Sequence, residues 1–565
     1  MAADKTTGSD AGTATAGRTG ADVVAEALAQ SGCRHAFGMP GGEVLALLDA
    51  MVRAGIDFHL AKHENAACFL GEGVWHAQSR TMGRDAPPAI LLATLGPGVA
   101  NAVNGIANAW QDRVPLIVLT GSVNDDVAAT YTHQVFDHLA LLRPITKAVF
   151  RAPAGAVAAT MEKAITAATT GQPGPVLVDV PIGVAEGASD ETVRRPPALS
   201  SVGGCGDMEG TIARFARAKR PLIVAGVDAL HASEEIAALS RDFAIPVVTT
   251  YKAKGVVPED DSLCLGGHGL SPLSDTHVLP MVRAADAVIL AGYDPIEMRI
   301  GWRDPWGEDA HVVEFTPVLR DHGMHRVDEV HVGDPRTGLG ALATGLRKAV
   351  GGGEALSRYR EGLWPKGEPS LVRQALAGAF APPPGWNAHR VFATLREVMP
   401  PQSVATADSG AHRILVSQMW RAPMPRAMLQ STALCTMGCA VPLAMGHAMA
   451  EPDRPAIAFV GDAGLEMGLG ELATLRDLGL PVIVCVLVDG ALALIEKKQR
   501  ATQRGQAGVT FATTDFPAVA SAMGGHGVWV DDAATLRAEA EAALARDGFT
   551  LLACRIGERP YEGAF

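Results

Sequence analysis

The chain has 565 residues, of which 48% are hydrophobic and 19% charged, and its formal net charge is -13. One hydrophobic core stops growing near roughly 250–300 residues, so we expect a globular protein of two or three domains. The acidic balance disfavours nucleic acid and anionic membranes as partners, because any anionic ligand then needs a local positive site.

The sequence shows no sign of export or membrane insertion. No apolar run reaches the ~20 residues that span a bilayer, and residues 1–20 lack the apolar core of a signal peptide. We therefore expect a cytoplasmic protein with a disordered tail over residues 1–20. The eight cysteines lie in apolar contexts without a CxxC pair, which favours buried thiols over disulfides or zinc ligands.

Short apolar runs alternate with helical patterns in three blocks, which is typical of parallel sheets with crossover helices. The first block covers residues 21–190 and includes PAILLATLGPG, VPLIVLTGSV and GPVLVDVP. A linker rich in Pro, Ser and Gly (191–205) separates it from a second block, 206–350. A polar linker (351–380) precedes the third block, 381–565. The pattern predicts an α/β fold of three doubly wound, mainly parallel domains, the first and third similar in topology.

In the third block, two apolar runs each stop at an aspartate. AIAFVG is followed by Asp462, and PVIVCVLV is followed by Asp489. Taken singly, an aspartate after a strand is more often the N-cap of the next helix. A strand–helix–strand unit brings both to the carboxyl edge of the sheet, where open parallel sheets bind ligands. Paired carboxylates suit Mg²⁺, and a helix predicted to begin near Leu465 suits a diphosphate.

The segment GDAGLEMGLGELATLRDLGLPVIVCVLVDGA resembles the cofactor motif of the thiamine-diphosphate (ThDP) enzymes, which is GDG, a helix and a strand, then NN. The resemblance implies that Asp462 and Asp489 are side-chain ligands of the metal and that the carbonyl of Ala491 is the third ligand. It departs from the family motif where Ala463 replaces the last glycine and Asp489 the second asparagine. The motif residues expected to contact the cofactor are Gly461, Ala463 and Gly464.

The segment LAKHENAACFLGEGVWHA resembles the glutamate segment of these enzymes. It implies that Glu64 hydrogen-bonds the aminopyrimidine ring of the cofactor. A carboxyl group is needed there because proton exchange with the ring favours the imino form, whose nitrogen takes the proton from thiazolium C2. The local sequence alone fits a first-turn glutamate that complements a helix dipole better, and the other motifs of the family favour the catalytic role.

Three further segments resemble cofactor-binding regions of the family. ALCTMGCAVPLAMGHAMA places Met437 beneath the bent cofactor, although a lone methionine is more often simply core. ADSGAHRILVSQMW places the Gly410 backbone at the aminopyrimidine and lets His412 reach the diphosphate, although a lone histidine is more often structural. FGMPGGEVLALLDAM places Gly41 in the cofactor site.

The first block is similar to the acetolactate synthase branch of the family. In THQVFDHLALLRPITKAVF, Gln134 falls on the active-site glutamine of that branch, and His133 replaces its neighbouring phenylalanine. The alternative for Gln134 is a polar loop residue. In the second block, LAGYDPIEMRIGW resembles the flavin-free catabolic type, so FAD is not expected.

The residues after Asp489 bear on the type of reaction. Simple decarboxylases of the family carry a proton-donating glutamate there, and the equivalent position is the apolar Ile495, with Glu496 expected to face elsewhere. A proton-poor pocket favours transfer of a carbanion to a carbonyl acceptor. An anionic donor also needs a cation, for which the candidates are Arg299, Lys252 and Lys498.

The resemblance thus implies ThDP- and Mg²⁺-dependent decarboxylation of a 2-oxo acid, by default pyruvate, with transfer of the acyl carbanion to a carbonyl acceptor. It also implies a homodimer or homotetramer in which Glu64 of one subunit meets the metal ligands of another. The alternatives are a 2-oxo acid decarboxylase, a sulfoacetaldehyde acetyltransferase-like enzyme, a C–C lyase, and a catalytically silent ThDP-binding regulatory subunit.

Overall fold

A computed structural model describes residues 17–194, 206–296, 298–320 and 322–565. Most of the predicted tail (1–16) and of the first linker (195–205) lies outside these residues. The described chain forms three six-stranded sheets in which all paired strands are parallel, with helices between the strands. The predicted α/β class with three doubly wound domains is confirmed.

The first sheet has the strand order β2-β1-β3-β4-β6-β5. Its strands are β1 (His35–Met39), β2 (Asp57–Leu60), β3 (Ala89–Ala93), β4 (Leu116–Ser122), β5 (Ala148–Arg151) and β6 (Pro175–Pro181). Its helices are α1 (Gly20–Gln30), α2 (Leu45–Arg53), α3 (Glu64–Met82), α4 (Pro97–Gln111), α5 (Asp125–Ala128), α6 (His138–Leu142), α7 (Val157–Thr169) and α8 (Ile182–Glu186).

The second sheet has the order β12-β11-β10-β7-β8-β9. Its strands are β7 (Pro221–Ala225), β8 (Val247–Thr249), β9 (Cys264–Gly267), β10 (Ala287–Ala291), β11 (His311–Thr316) and β12 (Glu329–Val332). The helices of this part of the chain are α9 (Glu209–Arg217), α10 (Ser233–Phe243), α11 (Pro272–Ala284), α12 (Pro335–Val350), α13 (Glu354–Glu361) and α14 (Glu368–Ala379).

The third sheet has the order β14-β13-β15-β16-β18-β17, which repeats the topology of the first, as predicted. Its strands are β13 (Val404–Ala407), β14 (Met428–Gln430), β15 (Ala456–Gly461), β16 (Ile483–Val488), β17 (His526–Val530) and β18 (Thr550–Arg555). Its helices are α15 (Ala388–Val398), α16 (Ala411–Met419), α17 (Ala440–Ala450), α18 (Asp462–Met467), α19 (Glu471–Asp477), α20 (Ala493–Ala501), α21 (Phe516–Ala522) and α22 (Ala533–Ala543).

The central strands read as continuous apolar runs because helices cover both faces of each sheet. Strands β3, β4 and β16 are buried along their whole length. Strand β2 lies at the edge of its sheet, and its four residues, DFHL, are all exposed or half-buried. The fully buried strands therefore appear in the sequence as apolar runs, and the exposed edge strand β2 does not.

Two local expectations were wrong. The helix predicted to begin near Leu465 begins at Asp462 and is interrupted around Gly468 and Gly470, so two short helices, α18 and α19, replace one. Glycine costs about 1 kcal/mol relative to alanine in a helix interior, which permits such a break. The segment 351–380, predicted as a linker, contains the helices α13 and α14.

The first and third domains pack through α3 and α17. Their backbones come close at Gly446, where an added Cβ would lie 2.0 Å from the carbonyl oxygen of Leu70. One buried apolar cluster continues from Phe37 in the first domain to Val486 in the third. The two domains therefore share part of their core, which fixes their relative placement.

The cysteines and the helices bear on two simpler expectations. The seven described cysteines are free thiols, and six of them are buried. Cys205 lies outside the described residues. No helix in the described ranges combines the length and the apolar character needed to cross a membrane.

Candidate active site

The carboxyl edge of the third sheet carries three aspartates. Asp408 follows β13, Asp462 follows β15, and Asp489 follows β16. Strands β13 and β15 are neighbours at the point where the strand order reverses, which is where open α/β sheets bind ligands. The fold therefore directs acidic side chains to the crevice of this sheet.

The structure brings Asp462 and Asp489 together, as predicted. Asp462 is 2% exposed, and its Oδ2 accepts hydrogen bonds from the backbone N–H groups of Asp489 (3.1 Å) and Gly490 (2.7 Å). Its Oδ1 accepts the N–H of Ala463 at 2.9 Å. The first carboxylate is thus fixed by the chain segment that carries the second.

The charge of Asp462 disfavours the ionised form of Asp489. Burial and the nearby charge of Asp462 raise the pKa of Asp489 to about 7, and burial also raises the pKa of Asp462. The opposing contributions to both shifts are hydrogen bonds from backbone N–H groups. Such a pair fits a divalent cation, whose charge removes the repulsion.

The rest of a cation site would not come from acidic or thiol side chains. No group of three or more His, Cys, Asp or Glu side chains able to hold a metal occurs within the described ranges. Ala491 lies two residues beyond Asp489, and its N–H donates to Asp489 Oδ1 at 3.1 Å. The bonds of Leu492 N–H to Val509 (2.8 Å) and of Phe511 N–H to Gly490 (3.1 Å) hold this segment in place.

The residues after β15 fit closely around Asp408. A Cβ at Gly464 would lie 2.1 Å from Asp408 Oδ2, so a larger residue would displace that carboxylate. Asp408 is fully buried, its Oδ1 accepts the Cys439 N–H at 2.9 Å, and its Oδ2 has no hydrogen-bond partner. Ala463 is the second residue of α18 and has no positive φ, so alanine is compatible with that position.

His412 lies beside two glycines of the motif segments. Its ring is 2.8 Å from the position of an added Cβ at Gly410 and 3.4 Å from that at Gly461. Burial and the neighbouring Arg413 lower the pKa of His412 to about 3, so the imidazole is neutral. Its Nε2 is buried and has no hydrogen-bond partner in the part of the chain that the structure describes, which leaves this nitrogen for a ligand at the same edge of the sheet.

Met437 is half-buried in the loop between β14 and α17. The loop is held from two sides: Arg413 donates to the carbonyl of Ser431 at 2.7 Å, and Asn104 donates to Thr436 Oγ1 at 2.9 Å. The side chain therefore lies on a fixed loop next to the first domain, outside the fully buried core.

Glu64 lies in the first domain, at the first residue of α3, and is 3% exposed. Asn101 on α4 donates to its Oε2 at 3.0 Å, and its Oε1 lies 3.2 Å from an added Cβ at Gly98. The carboxylate is thus held by the chain that follows β3, at the carboxyl edge of the first sheet. Asn101 escaped the sequence analysis because amides inside a helix carry no local signal.

Gly41 and Gln134 lie at this same edge. A Cβ at Gly41 would lie 2.2 Å from Thr94 Oγ1, just beyond β3. Gln134 has a φ of 60°, and its carbonyl oxygen lies 2.6 Å from an added Cβ at Gly96. The side chains of Gln134 and His133 are exposed, and His133 makes an edge contact with Tyr131.

Glu496 is not where the sequence placed it. It is buried and lines a cavity of about 390 Å³ together with Asp489, whereas Ile495 is 46% exposed. The expectation that Glu496 faces elsewhere was wrong, because α20 turns this residue inward. Its carboxylate accepts from Arg500 Nε at 3.0 Å and from Gln506.

The three candidate cations lie elsewhere. Lys252 is buried between domains, with its Nζ 2.9 Å from Asp112 and 3.6 Å from Glu72. It is therefore part of a structural ion cluster. Arg299 and Lys498 are exposed.

Comparison with known proteins assigns all three domains. Residues 18–141 match the N-terminal TPP (thiamine pyrophosphate) binding domain of thiamine pyrophosphate enzymes, residues 208–342 match their central domain, and residues 408–554 match their C-terminal TPP binding domain. Thiamine pyrophosphate is another name for ThDP. The matched regions follow the order of the three sheets.

Relatives align over most of the chain. A probable acetolactate synthase large subunit of Methanocaldococcus jannaschii is 29% identical over 500 residues, which are 85% of this chain and 82% of that protein. The acetolactate synthase large subunit of Parasynechococcus marenigrum is 29% identical, covering 96% of this chain and 88% of that protein. The isozyme 1 large subunit of Escherichia coli is 28% identical, covering 95% and 94%. The chain belongs to the thiamine-diphosphate-dependent enzymes and is similar to their acetolactate synthases.

Proposed function

We propose that this protein is a ThDP- and Mg²⁺-dependent carboligase that decarboxylates a 2-oxo acid, with pyruvate as the default donor, and joins the acyl group to a carbonyl acceptor. The observation that carries the proposal is the pairing of the buried Asp462 with the half-buried Asp489 at the crevice of the third sheet, where the Asp489 N–H donates to Asp462 Oδ2 at 3.1 Å. The relatives, which are named acetolactate synthases, support the reaction class.

The residues present fit the cofactor and its metal. Asp462, Asp489 and the carbonyl of Ala491 would hold Mg²⁺, which prefers oxygen ligands and usually keeps phosphate oxygens and water in its shell. The buried, unpartnered Nε2 of His412 would serve a diphosphate oxygen. When bound, ThDP supplies a nucleophilic carbon that attacks the keto carbon of the donor and accepts the electron pair released with CO₂.

Glu64 would exchange a proton with the aminopyrimidine ring. Asn101 donates to its Oε2 at 3.0 Å, which orients the carboxyl group and leaves Oε1 toward Gly98. Gly98 has no side chain, so the cofactor ring can approach this oxygen. Gln134 and His133 would face the substrate from the exposed loop before α6, while Gly41 and Gly410 would give the ring close access to the backbone.

The pocket favours transfer of the acyl carbanion to a carbonyl acceptor over its protonation. The reason is not the one expected from the sequence, which was an apolar Ile495 in the place of an acid. Glu496 faces the cavity beside Asp489, but both of its oxygens contact Arg500, at 3.0 and 3.3 Å. A carboxylate held by a guanidinium is a poor proton donor. We propose that this pairing, together with the exposed Ile495, leaves no acid to quench the acyl carbanion.

We also propose that the central domain holds no flavin. The crevice of its sheet lies between β7 and β10, where the strand order reverses. Arg320, 6% exposed, lies there between Asp228 (2.6 Å), Asp294 (2.9 Å) and Glu314 (3.2 Å). Three carboxylates at this point oppose the phosphates of a dinucleotide.

A homodimer or homotetramer completes the proposed site. Glu64 and the metal ligands belong to different domains, and the family resemblance places them on opposite sides of a subunit interface. Beside Gln134, the large apolar side chains of Tyr131 and Phe136 are 44% and 41% exposed. Such a patch supports a contact with a second copy. Analytical ultracentrifugation tests it, and a monomer at micromolar concentration would contradict it.

The reaction is tested by incubating purified protein with ThDP, Mg²⁺ and ¹³C-labelled pyruvate, with and without acceptor aldehydes and phosphate, and identifying the products by NMR. We expect 2-acetolactate or another ligation product. Free acetaldehyde alone would indicate a decarboxylase, and acetyl phosphate an acetyltransferase. No consumption of any donor, with ThDP still bound, would indicate a silent subunit.

A further inference from the structure

A small cavity lies where the three domains meet, away from the proposed active site. Its volume is about 40 Å³, and its lining includes Trp75 and Asp112 from the first domain, His231 from the second and Arg426 from the third. One water needs roughly 10–15 Å³ by this measure, so the cavity has room for a few waters or one small ion.

Arg426 is buried in this cavity without a counter-ion. It is 4% exposed, and no carboxylate of the described chain pairs with it within 4.0 Å. Among the described residues, its Nε has no hydrogen-bond partner, and Nη2 approaches His231 Nε2 at 3.5 Å. Its guanidinium also lies 5.4 Å from the ring centroid of Trp75. A buried charge this poorly compensated is costly for a folded protein.

The acidic groups at the cavity are engaged with other cations. Asp112 Oδ2 lies 2.9 Å from Lys252, and its Oδ1 accepts from Thr432 and Ala433. Asp228 pairs with Arg320 at 2.6 Å. These contacts leave a net positive cavity.

The protonation states of Arg426 and His231 agree with a net positive charge in the cavity. Burial lowers the pKa of Arg426 to about 9, so the guanidinium still carries its charge at neutral pH. Burial, together with Arg426 and Arg84, lowers the pKa of His231 to about 3, so this imidazole is neutral. Arg426 also has a φ of 59°, an uncommon conformation for a residue with a side chain. The protein thus holds a charged group in a strained turn that lines a small cavity.

We propose that this cavity is a binding site for a small oxyanion, a phosphate or a carboxylate, which pairs with Arg426 and links the three domains. Guanidinium groups bind such anions through two parallel hydrogen bonds. An anion in the cavity would accept one of them from the Arg426 Nε–H, which has no partner among the described residues. Because the lining comes from all three domains, an anion bound there stabilises their packing.

The test is thermal unfolding of the full chain without ThDP, in Tris chloride at constant ionic strength. In one series phosphate replaces part of the chloride, and in a second series acetate does. We expect at least one of the two oxyanions to raise the Tm of the wild type. Above the dissociation constant, each tenfold increase in the concentration of that anion should raise the Tm by the same amount. The Arg426→Met variant should lose this response. Arg421→Met, which removes an exposed arginine of the same segment, should keep it.

Two outcomes would overturn the proposal. A wild type that responds to neither oxyanion has no such site, and a response that persists in Arg426→Met comes from elsewhere, including the proposed diphosphate site. If Arg426→Met does not fold, His231→Glu decides. This variant brings a carboxylate beside the guanidinium, so we expect a higher Tm without added anion and no further rise with it. An unchanged anion response in His231→Glu would equally refute the site.

Discussion

Replacing Glu64 with glutamine separates the proposed proton exchange from the structural role of this side chain. The substitution preserves the size and shape of a side chain that is 3% exposed. The amide oxygen of the glutamine can still accept the hydrogen bond that Asn101 donates. We therefore expect the free energy of unfolding to change by about 1 kcal/mol or less. Loss of the carboxyl group should lower kcat about 10²–10⁴-fold, which corresponds to about 3–5 kcal/mol in the activation free energy.

The assay is the initial rate of pyruvate consumption with saturating ThDP and Mg²⁺, normalised to folded protein. ThDP affinity from calorimetry should stay close to that of the wild type. Glu72→Gln is the matched control, since Glu72 lies on the same helix but contacts Asn108 (2.9 Å) and Lys252 (3.6 Å) between domains. It should cost stability, by about 1–3 kcal/mol, and leave kcat near its original value. A kcat of Glu64→Gln within tenfold of the wild type, or equal losses in both variants, would refute the reasoning.

Three further changes test other parts of the account. Asp462→Ala should abolish Mg²⁺-supported ThDP binding in calorimetry, and normal affinity would eliminate this metal site. Asp112→Asn removes the carboxylate that lies 2.9 Å from the buried Lys252 Nζ and should cost about 3–5 kcal/mol in urea unfolding; a cost no larger than that of the exposed Asp453→Asn would contradict the ion cluster. Burial lowers the pKa of His268 to about 4, so the unfolded chain binds more protons than the folded one as the pH falls, and this group should lower the free energy of unfolding by about 2–3 kcal/mol between pH 7 and 4.5. His268→Gln should flatten that part of the pH profile, and identical profiles for both proteins would count against it.

The sequence was sufficient for the fold class because the buried strands are apolar along their whole length. Strand β3, AILLA, is fully buried between two helical layers, and its sequence alone predicts a strand. The pairing of Asp462 with Asp489 was also predictable, since consecutive parallel strands end at one edge of a sheet. Asp408 obeys the same rule, since it directly follows β13.

Other features depend on contacts between domains and had no local signal. Lys252, predicted as a candidate cation for the substrate, has its Nζ 2.9 Å from Asp112, which is far from it in sequence. Arg426 lacks a paired carboxylate among the described residues, and this becomes visible only once residues of three domains surround it. The division of one predicted helix into α18 and α19 depends on Gly468 and Gly470, and glycine inside a helical pattern is tolerated in some contexts and ends the helix in others.

The central claim is that one cofactor is anchored through its diphosphate in the third domain and activated by a glutamate of the first domain of another subunit. A structure of the protein crystallised with ThDP and Mg²⁺ tests it most directly. We predict that Asp462, Asp489 and the Ala491 carbonyl bind the cation, and that Glu64 of the partner subunit lies within hydrogen-bond distance of the aminopyrimidine. A cation bound elsewhere, or a glutamate remote from that ring, would contradict the claim.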